Sequence, residues 1–180
     1  DNAKDKLAEY GAAKIYVAGD GELDGFLVAP KAEVLAQIVS SSSPAAVLIP
    51  STPEGKEIAG RLAVKTESGV ITDAVGVEDG FVAKQSIFGG AINVSATVSK
   101  GTPIITVRPN STAPEAAPSQ PAEEQVAVSV SDAAKAAKVL DRGGVTMAAG
   151  ASGAPIDATL RAANIKLVQS ERALTAPDGL

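Results

Sequence analysis

Residues 45–63 read AAVLIPSTPEGKEIAGRLA, and this stretch decides the predicted fold. Its first six residues form a continuous apolar run without polar alternation, which is typical of a strand covered on both faces. Ser51 and Thr52 then supply capping side chains, and Glu54 places an acidic group in the first turn of an amphipathic helix. The stretch therefore predicts a buried strand that passes directly into a helix, which is the repeating unit of an α/β fold.

The flanking sequence extends this rhythm in both directions. Upstream, the pattern predicts a helix over residues 3–9, a strand over 14–18 and a helix over 32–39. Downstream of Val70, short apolar stretches separated by glycine and polar turns predict a run of strands that ends near Val107. The predicted fold class is α/β, a largely parallel sheet with helices on both faces plus a partly antiparallel strand run.

The second half of the chain has a different composition. Residues 109–124 contain four prolines and no large apolar residue, which predicts an extended linker. We therefore divide the chain into an α/β domain over 1–108, the linker over 109–124, and a small α/β remnant over 125–180. Within the remnant, residues 133–140 follow a capping Ser-Asp pair and are rich in alanine, which predicts a helix.

The composition excludes several classes of function. The chain has no cysteine and no histidine, so disulfides, thiol nucleophiles, Ser-His-Asp catalysis and most zinc sites are absent. No acidic calcium-loop pattern is present, and we predict no metal site.

With 16 basic and 21 acidic residues, the net charge of −5 and dispersed cations argue against nucleic-acid binding. No apolar run approaches the roughly 20 residues that cross a bilayer, and the start lacks a signal-peptide core, so we expect a cytoplasmic protein without membrane insertion.

Two glycine-containing segments are candidate binding sites. Residues 143–153 read GGVTMAAGASG and run from a strand-like stretch into a small-residue turn, where backbone N–H groups can hold a phosphate. An ordinary turn is the alternative interpretation, because the segment matches neither a Walker A loop nor a G-x-G-x-x-G fingerprint. A hydrolase that uses Ser152 lacks a histidine base. The second segment, Gly89–Gly90, indicates either a backbone kink or a ligand contact.

Several blocks of this sequence resemble one family. Residues 11–18, 47–63, 86–91 and 102–108 are similar, in order and spacing, to the amino-terminal domain of the alpha subunit of electron transfer flavoproteins. The resemblance covers roughly residues 5–130. Its family pattern begins with one more strand and helix than this sequence has, so we expect an exposed apolar strand edge.

The resemblance implies an electron carrier rather than an enzyme. Such a subunit forms a heterodimer with a beta subunit, binds FAD and passes electrons from dehydrogenases, including those of fatty acid beta-oxidation, to a membrane-associated acceptor. Ser152 is the one cofactor-binding residue that the resemblance carries over, and Gly153 stands where the family has an arginine. The alternative is a cofactor-free structural or partner-binding fragment that has lost the flavin site.

Overall fold

The computed structural model describes residues 2–19 and 23–139, which belong to a compact unit that ends at Val139. Its helices and strands follow in chain order: α1 (Asn2–Glu9), β1 (Lys14–Val17), α2 (Val28–Ser42), β2 (Val47–Pro50), α3 (Pro53–Lys65), β3 (Val70–Glu78), β4 (Val82–Ile87), β5 (Ile92–Ala96), β6 (Ile104–Val107) and β7 (Ala122–Gln125). Short 3-10 turns span Leu23–Gly25, Asp79–Phe81 and Phe88–Gly90. The α/β class predicted from the sequence is confirmed.

The strands form two sheets. The larger sheet has the order β2-β6-β3-β4-β5, in which β2 and β3 both run parallel to β6, the strand between them. Strand β4 runs antiparallel to both β3 and β5, as the run of short stretches after Val70 predicts. The smaller sheet pairs β1 with β7 in parallel, from Lys14 opposite Ala122 to Val17 opposite Gln125. The mixture of mainly parallel and some antiparallel pairing therefore matches the prediction.

Helix α3 packs on one face of the larger sheet. Alternate residues of a strand point to opposite faces, so neighbouring strand residues enter different clusters. Leu62 and Ala59 of α3 are fully buried and meet Ile49 of β2 and Ile104 of β6 in one apolar cluster. Ile105, the next residue of β6, belongs to a second cluster with Ala74 and Ala83, at the β3–β4 part of the sheet. The continuous apolar runs of β2 and β6 thus place apolar side chains on both faces of the sheet, although Leu48 of the edge strand β2 remains exposed.

Helix α2 begins earlier than the periodicity predicts. Its first residue is Val28 and Pro30 is its third, a position at which proline needs no helical N–H partner. The helix ends at Ser42, where Ser43 adopts a left-handed φ of +46° and its N–H bonds the carbonyl of Val39 at 2.9 Å. Helices α2 and α3 pack against each other.

The predicted linker is joined to the α/β body by backbone hydrogen bonds. Ala117 and Ser119 donate to the carbonyls of Glu9 and Ala8, at 3.0 and 2.9 Å. The segment then forms β7, although its residues are all exposed. The predicted division of the chain into 1–108, 109–124 and 125–180 remains a prediction.

The predicted helix over residues 133–140 is wrong in its described part. Residues 132–135 form turns, and Lys138 forms an isolated antiparallel bridge with Phe26. Leu27 donates to the carbonyl of Ala137 and Val139 donates to that of Gly25, at 3.2 and 2.9 Å. These pairings require extended backbone, so tertiary hydrogen bonds override the helix propensity of the alanines.

Candidate functional site

The described part of the chain gathers polar side chains where the parallel pairing of β2, β6 and β3 stops. Ser51 follows β2, Thr106 lies in β6 and Arg108 follows it. Asp73 lies in β3 at a register shift between Ile71 and Ala74, with a left-handed φ of +62°. Because β2, β3 and β6 run in the same direction, the carboxyl ends of β2 and β6 lie beside the middle of β3, where its pairing with β6 stops. We call Ser51, Asp73, Thr106 and Arg108 the carboxyl-edge cluster.

A closed circuit of hydrogen bonds links the first three members of this cluster. The Thr106 hydroxyl, on a fully buried residue, accepts from the backbone N–H of Asp73 at 2.9 Å and donates to Ser51 Oγ at 2.9 Å. Ser51 Oγ in turn donates to Asp73 Oδ1 at 3.3 Å. Each hydroxyl proton is therefore committed to an internal partner, and the circuit ties the ends of β2 and β6 to the middle of β3.

Two cations hold the Asp73 carboxylate. Arg108 Nη2 lies 2.7 Å from Oδ2, its Nε lies 3.5 Å from Oδ1, and Lys56 Nζ lies 3.7 Å from Oδ1. The hydrogen bond from Arg108 is the main reason that the pKa of Asp73 falls below its ordinary value of 3.8, and the same contact raises the pKa of Arg108. Asp73 is thus ionised at neutral pH and is a poor proton acceptor.

This arrangement does not build a hydrolytic site. A serine nucleophile needs a base whose pKa lies near the working pH, and the chain has no histidine. Ser51 points its proton at a carboxylate whose pKa is lowered, which disfavours proton transfer. The cluster therefore has a structural role, because its hydrogen bonds and ion pairs hold the strands and the loops that follow them in place.

The sites predicted from the sequence have different outcomes. Ser152 and the turn at residues 143–153 lie outside the described residues, so that cofactor-binding prediction remains a prediction. The capping interpretation of 51–56 is confirmed, because Gly55 N–H donates to Thr52 Oγ1 at 3.0 Å. Gly89 and Gly90 lie in the turn between β4 and β5 with φ of +65° and +94°, which supports the backbone interpretation.

Sequence reasoning missed Asp73, Thr106 and Arg108. Their signal was available, since Asp73 is a lone carboxylate inside an apolar strand pattern and Thr106 interrupts the run Ile-Ile-Thr-Val. A charge at such a position is expected to have a partner. Asp73 and Arg108 are 35 positions apart in sequence, and the parallel pairing of β3 with β6 is what brings them together.

Neither of two surface cavities among the described residues suits a flavin nucleotide, and the described residues hold no metal cluster. Residues 2–19 and 23–139 contain no group of three or more carboxylates placed to hold a metal ion. A surface cavity of about 510 Å³ beside α1 is lined by Ala3, Leu7, Tyr10, Gly11 and Ala12, with Lys6 as its one charged residue. A second cavity, between α2, α3 and residues 133–134, has about 170 Å³, below the roughly 300 Å³ at which ligand pockets begin. The first cavity lacks the several convergent polar groups that a dinucleotide requires, and the second, although lined by Glu33, Arg61 and Lys65, is too small for one.

Within the part of the chain that the structure describes, no helix is both long and apolar enough to cross a bilayer.

The structure is a mainly parallel α/β domain, and the polar groups of the carboxyl-edge cluster hold its own strands together. The electron transfer flavoprotein domain model matches residues 1–141, which is more than half of the chain. The chain therefore belongs to the electron transfer flavoprotein family.

Three relatives illustrate the match. The electron transfer flavoprotein subunit alpha of Mycobacterium tuberculosis is 50% identical over 131 residues, which is 73% of this chain and 41% of the relative. The protein of the same name from Mycobacterium leprae is 48% identical over 126 residues, covering 70% and 39%. A lactate dehydrogenase (NAD(+),ferredoxin) subunit of Acetobacterium woodii is 31% identical over 74 residues, covering 41% and 18%. The chain spans about two fifths of the length of its mycobacterial relatives.

Proposed function

We propose that this chain acts as the alpha-type subunit of an electron-carrying flavoprotein, in a heterodimer with a beta subunit. The observation that carries the proposal is the family match over residues 1–141, a range that contains every helix and strand of the described residues. Relatives at 50% and 48% identity are named as alpha subunits, and a more distant relative is named as a dehydrogenase subunit. A role beside another polypeptide in redox chemistry agrees with these names.

In this role the redox chemistry is supplied by FAD, which accepts and releases electrons when bound, while the protein contributes position and partner contacts. Electrons pass from dehydrogenases, including those of fatty acid oxidation, to a membrane-associated acceptor, and the protein works in the cytoplasm. Ser152 is the residue of this chain proposed to face the cofactor. The chain itself then acts as an electron carrier and not as an enzyme.

A second function has its own support. The two cavities described above do not suit FAD, whereas the described residues bury two apolar clusters of their own. These observations favour a cofactor-free fragment that binds the beta subunit without carrying electrons. The two proposals share the partner and differ in the flavin.

One experiment separates them. The 180-residue chain is mixed with the beta subunit of the M. tuberculosis flavoprotein and excess FAD, and size-exclusion traces are recorded at protein and flavin wavelengths. Co-elution of both polypeptides with flavin absorbance supports the electron carrier. A complex without flavin supports the partner-binding fragment, and separate elution of the two polypeptides overturns both proposals.

A further inference from the structure

Residues 129–139 contact helix α2 through polar groups. Ser131 donates from its backbone N–H to Glu33 Oε2 at 2.8 Å and from its hydroxyl to Glu33 Oε1 at 2.9 Å. Four residues further along α2, Gln37 Nε2 donates to the carbonyl of Ser129. Residues four apart share one face of a helix, so both contacts come from the same face of α2. We call residues 129–139 the strap.

The far end of the strap is attached to the segment that precedes α2. Leu27 N–H donates to the carbonyl of Ala137 at 3.2 Å, and Val139 N–H donates to the carbonyl of Gly25 at 2.9 Å. These two hydrogen bonds flank the antiparallel bridge between Phe26 and Lys138. The strap is therefore held at two places, by α2 near its start and by residues 25–27 near its end.

Apolar burial contributes little to this attachment. Among residues 129–139, Ala134 is the one buried residue, and its side chain is a single methyl group. The body, in contrast, buries Leu62 of α3 and Ile104 of β6 completely. Segments with few buried apolar contacts open at a lower free energy than the core does. We therefore expect the strap to open while α2, α3 and β6 stay folded.

Glu33 supplies the charged contact that closes the strap. Its side chain is 15% exposed, and Lys65 Nζ of α3 lies 2.9 Å from its Oε1, which orients the carboxylate from the body side. The hydrogen bond from the Ser131 N–H is the main reason that the pKa of Glu33 lies below its ordinary value of 4.5. An ionised carboxylate accepts hydrogen bonds that are roughly twice as strong as neutral ones. Loss of this charge should therefore weaken the closed state.

The strap also covers a cavity between α2 and α3. The cavity has a volume of about 170 Å³ and is lined by Ala133 and Ala134 of the strap together with Ala29, Glu33, Arg61 and Lys65 of the two helices. Three of the four helix residues carry a charge. Opening of the strap removes one wall of this cavity and exposes these charged side chains more fully to solvent.

We propose that residues 129–139 open and close as one unit, with the Glu33 carboxylate as the latch. The two attachments support each other because each one holds the strap close to the other contact, which raises the effective concentration of its groups. Release at Ser131 should therefore also release Ala137 and Val139. The device lies within the described residues and involves neither the flavin nor the partner subunit.

The test follows amide hydrogen exchange by NMR in the full 180-residue chain. Ser131, Ala134 and Val139 report on the strap, and Leu27 reports from the body side, because its N–H is bonded to the strap. Ile105 of β6 is fully buried and reports on global unfolding. Circular dichroism first confirms that each variant is folded.

Glu33→Gln is compared with Glu78→Gln. Glu78 is also paired with a lysine, since its Oε2 lies 3.0 Å from Lys84 Nζ, so the control makes the same change of charge in an ion pair of β3 and β4. We expect Glu33→Gln to accelerate exchange at all four reporters by a similar factor of about 10-fold or more, from the loss of charge-assisted hydrogen bonds. Glu78→Gln should change these rates by less than about twofold, because its ion pair is exposed.

Three results overturn the proposal. Acceleration at Ser131 and Ala134 without acceleration at Leu27 and Val139 shows two independent contacts and no unit. Equal rates in wild type and Glu33→Gln show that the carboxylate is not the latch. Exchange of the wild-type reporters as slow as that of Ile105 shows that the strap opens only when the whole chain unfolds.

A cross-linked variant tests the unit without changing Glu33. The chain has no cysteine, and register partners of an antiparallel pair have Cα atoms about 4.5–5.5 Å apart, which a disulfide can span, so Phe26→Cys/Lys138→Cys closes the far end. We expect oxidation to slow exchange at Ser131 and Ala134 by about 10-fold and reduction with dithiothreitol to restore it. Slowing at Leu27 and Val139 alone overturns the proposal, and this comparison decides the question if Glu33→Gln also accelerates Ile105.

Discussion

Gly55 is the position at which helix α3 approaches β2 most closely. A Cβ built there lies 2.0 Å from the carbonyl oxygen of Pro50 and 3.2 Å from Ile49 Cγ2. Real Cβ contacts are essentially never shorter than 3.0 Å, so Gly55→Ala forces the helix and strand apart by 3.0 − 2.0 = 1.0 Å or more. The carbonyl cannot turn away freely, because it also accepts from Thr52 N at 2.8 Å.

The size of the effect follows from two opposing terms. Overpacking of a close contact costs about 1–3 kcal/mol, and here the obstacle is backbone, which favours the upper end. Alanine recovers about 0.5–1 kcal/mol of helix propensity relative to glycine. We therefore expect Gly55→Ala to lower the free energy of unfolding by about 1–2 kcal/mol net, from these same two terms.

Gly60 of the same helix is the matched control. A Cβ at Gly60 meets nothing within 4 Å, so Gly60→Ala gains only the propensity term and should stabilise by about 0.5–1 kcal/mol. Urea unfolding followed by far-ultraviolet circular dichroism gives both values, with equal m values required for the comparison. If Gly55→Ala is as stable as wild type, the close approach of α3 to β2 is incorrect and the reasoning fails.

Three further predictions concern polar contacts. Thr106→Val keeps the shape of a buried side chain but leaves the Asp73 N–H without its acceptor. The free energy of unfolding, measured by urea titration, should therefore fall by about 1–3 kcal/mol. An unchanged unfolding midpoint would refute the closed circuit. The folded-state pKa of Asp73 is lowered, so its contribution to stability is present above its ordinary pKa of 3.8 and is lost as pH falls through the folded value. Unfolding midpoints measured from pH 6 to 2 should therefore drop less steeply in Arg108→Gln, and parallel curves would contradict the pairing. Glu33→Gln removes the charged acceptor of the Ser131 N–H and hydroxyl, at 2.8 and 2.9 Å, so amide exchange over residues 131–139 should accelerate while that of β6 stays constant.

The fold was predictable where local signals and burial agree. The apolar run before Ser51 predicts a strand covered on both faces, and Ile104 and Ile105 show why a neighbouring strand of the same kind carries no alternation. The cap at Thr52 fixed the start of α3, because a side chain can satisfy the orphan N–H of Gly55 without any tertiary contact. Such signals depend only on residues that are close in sequence, so they can be identified without knowing the tertiary structure.

Long-range pairing was not predictable from the same signals. Residues 133–139 have high helix propensity, yet Glu33 of α2 holds Ser131 and the backbone of 25–27 pairs with 137–139. The strand β7 lies at the end of a proline-rich segment and gains its order from pairing with β1. The partner of Asp73 was hidden for the same reason, since only the parallel register of β3 and β6 brings Arg108 to it.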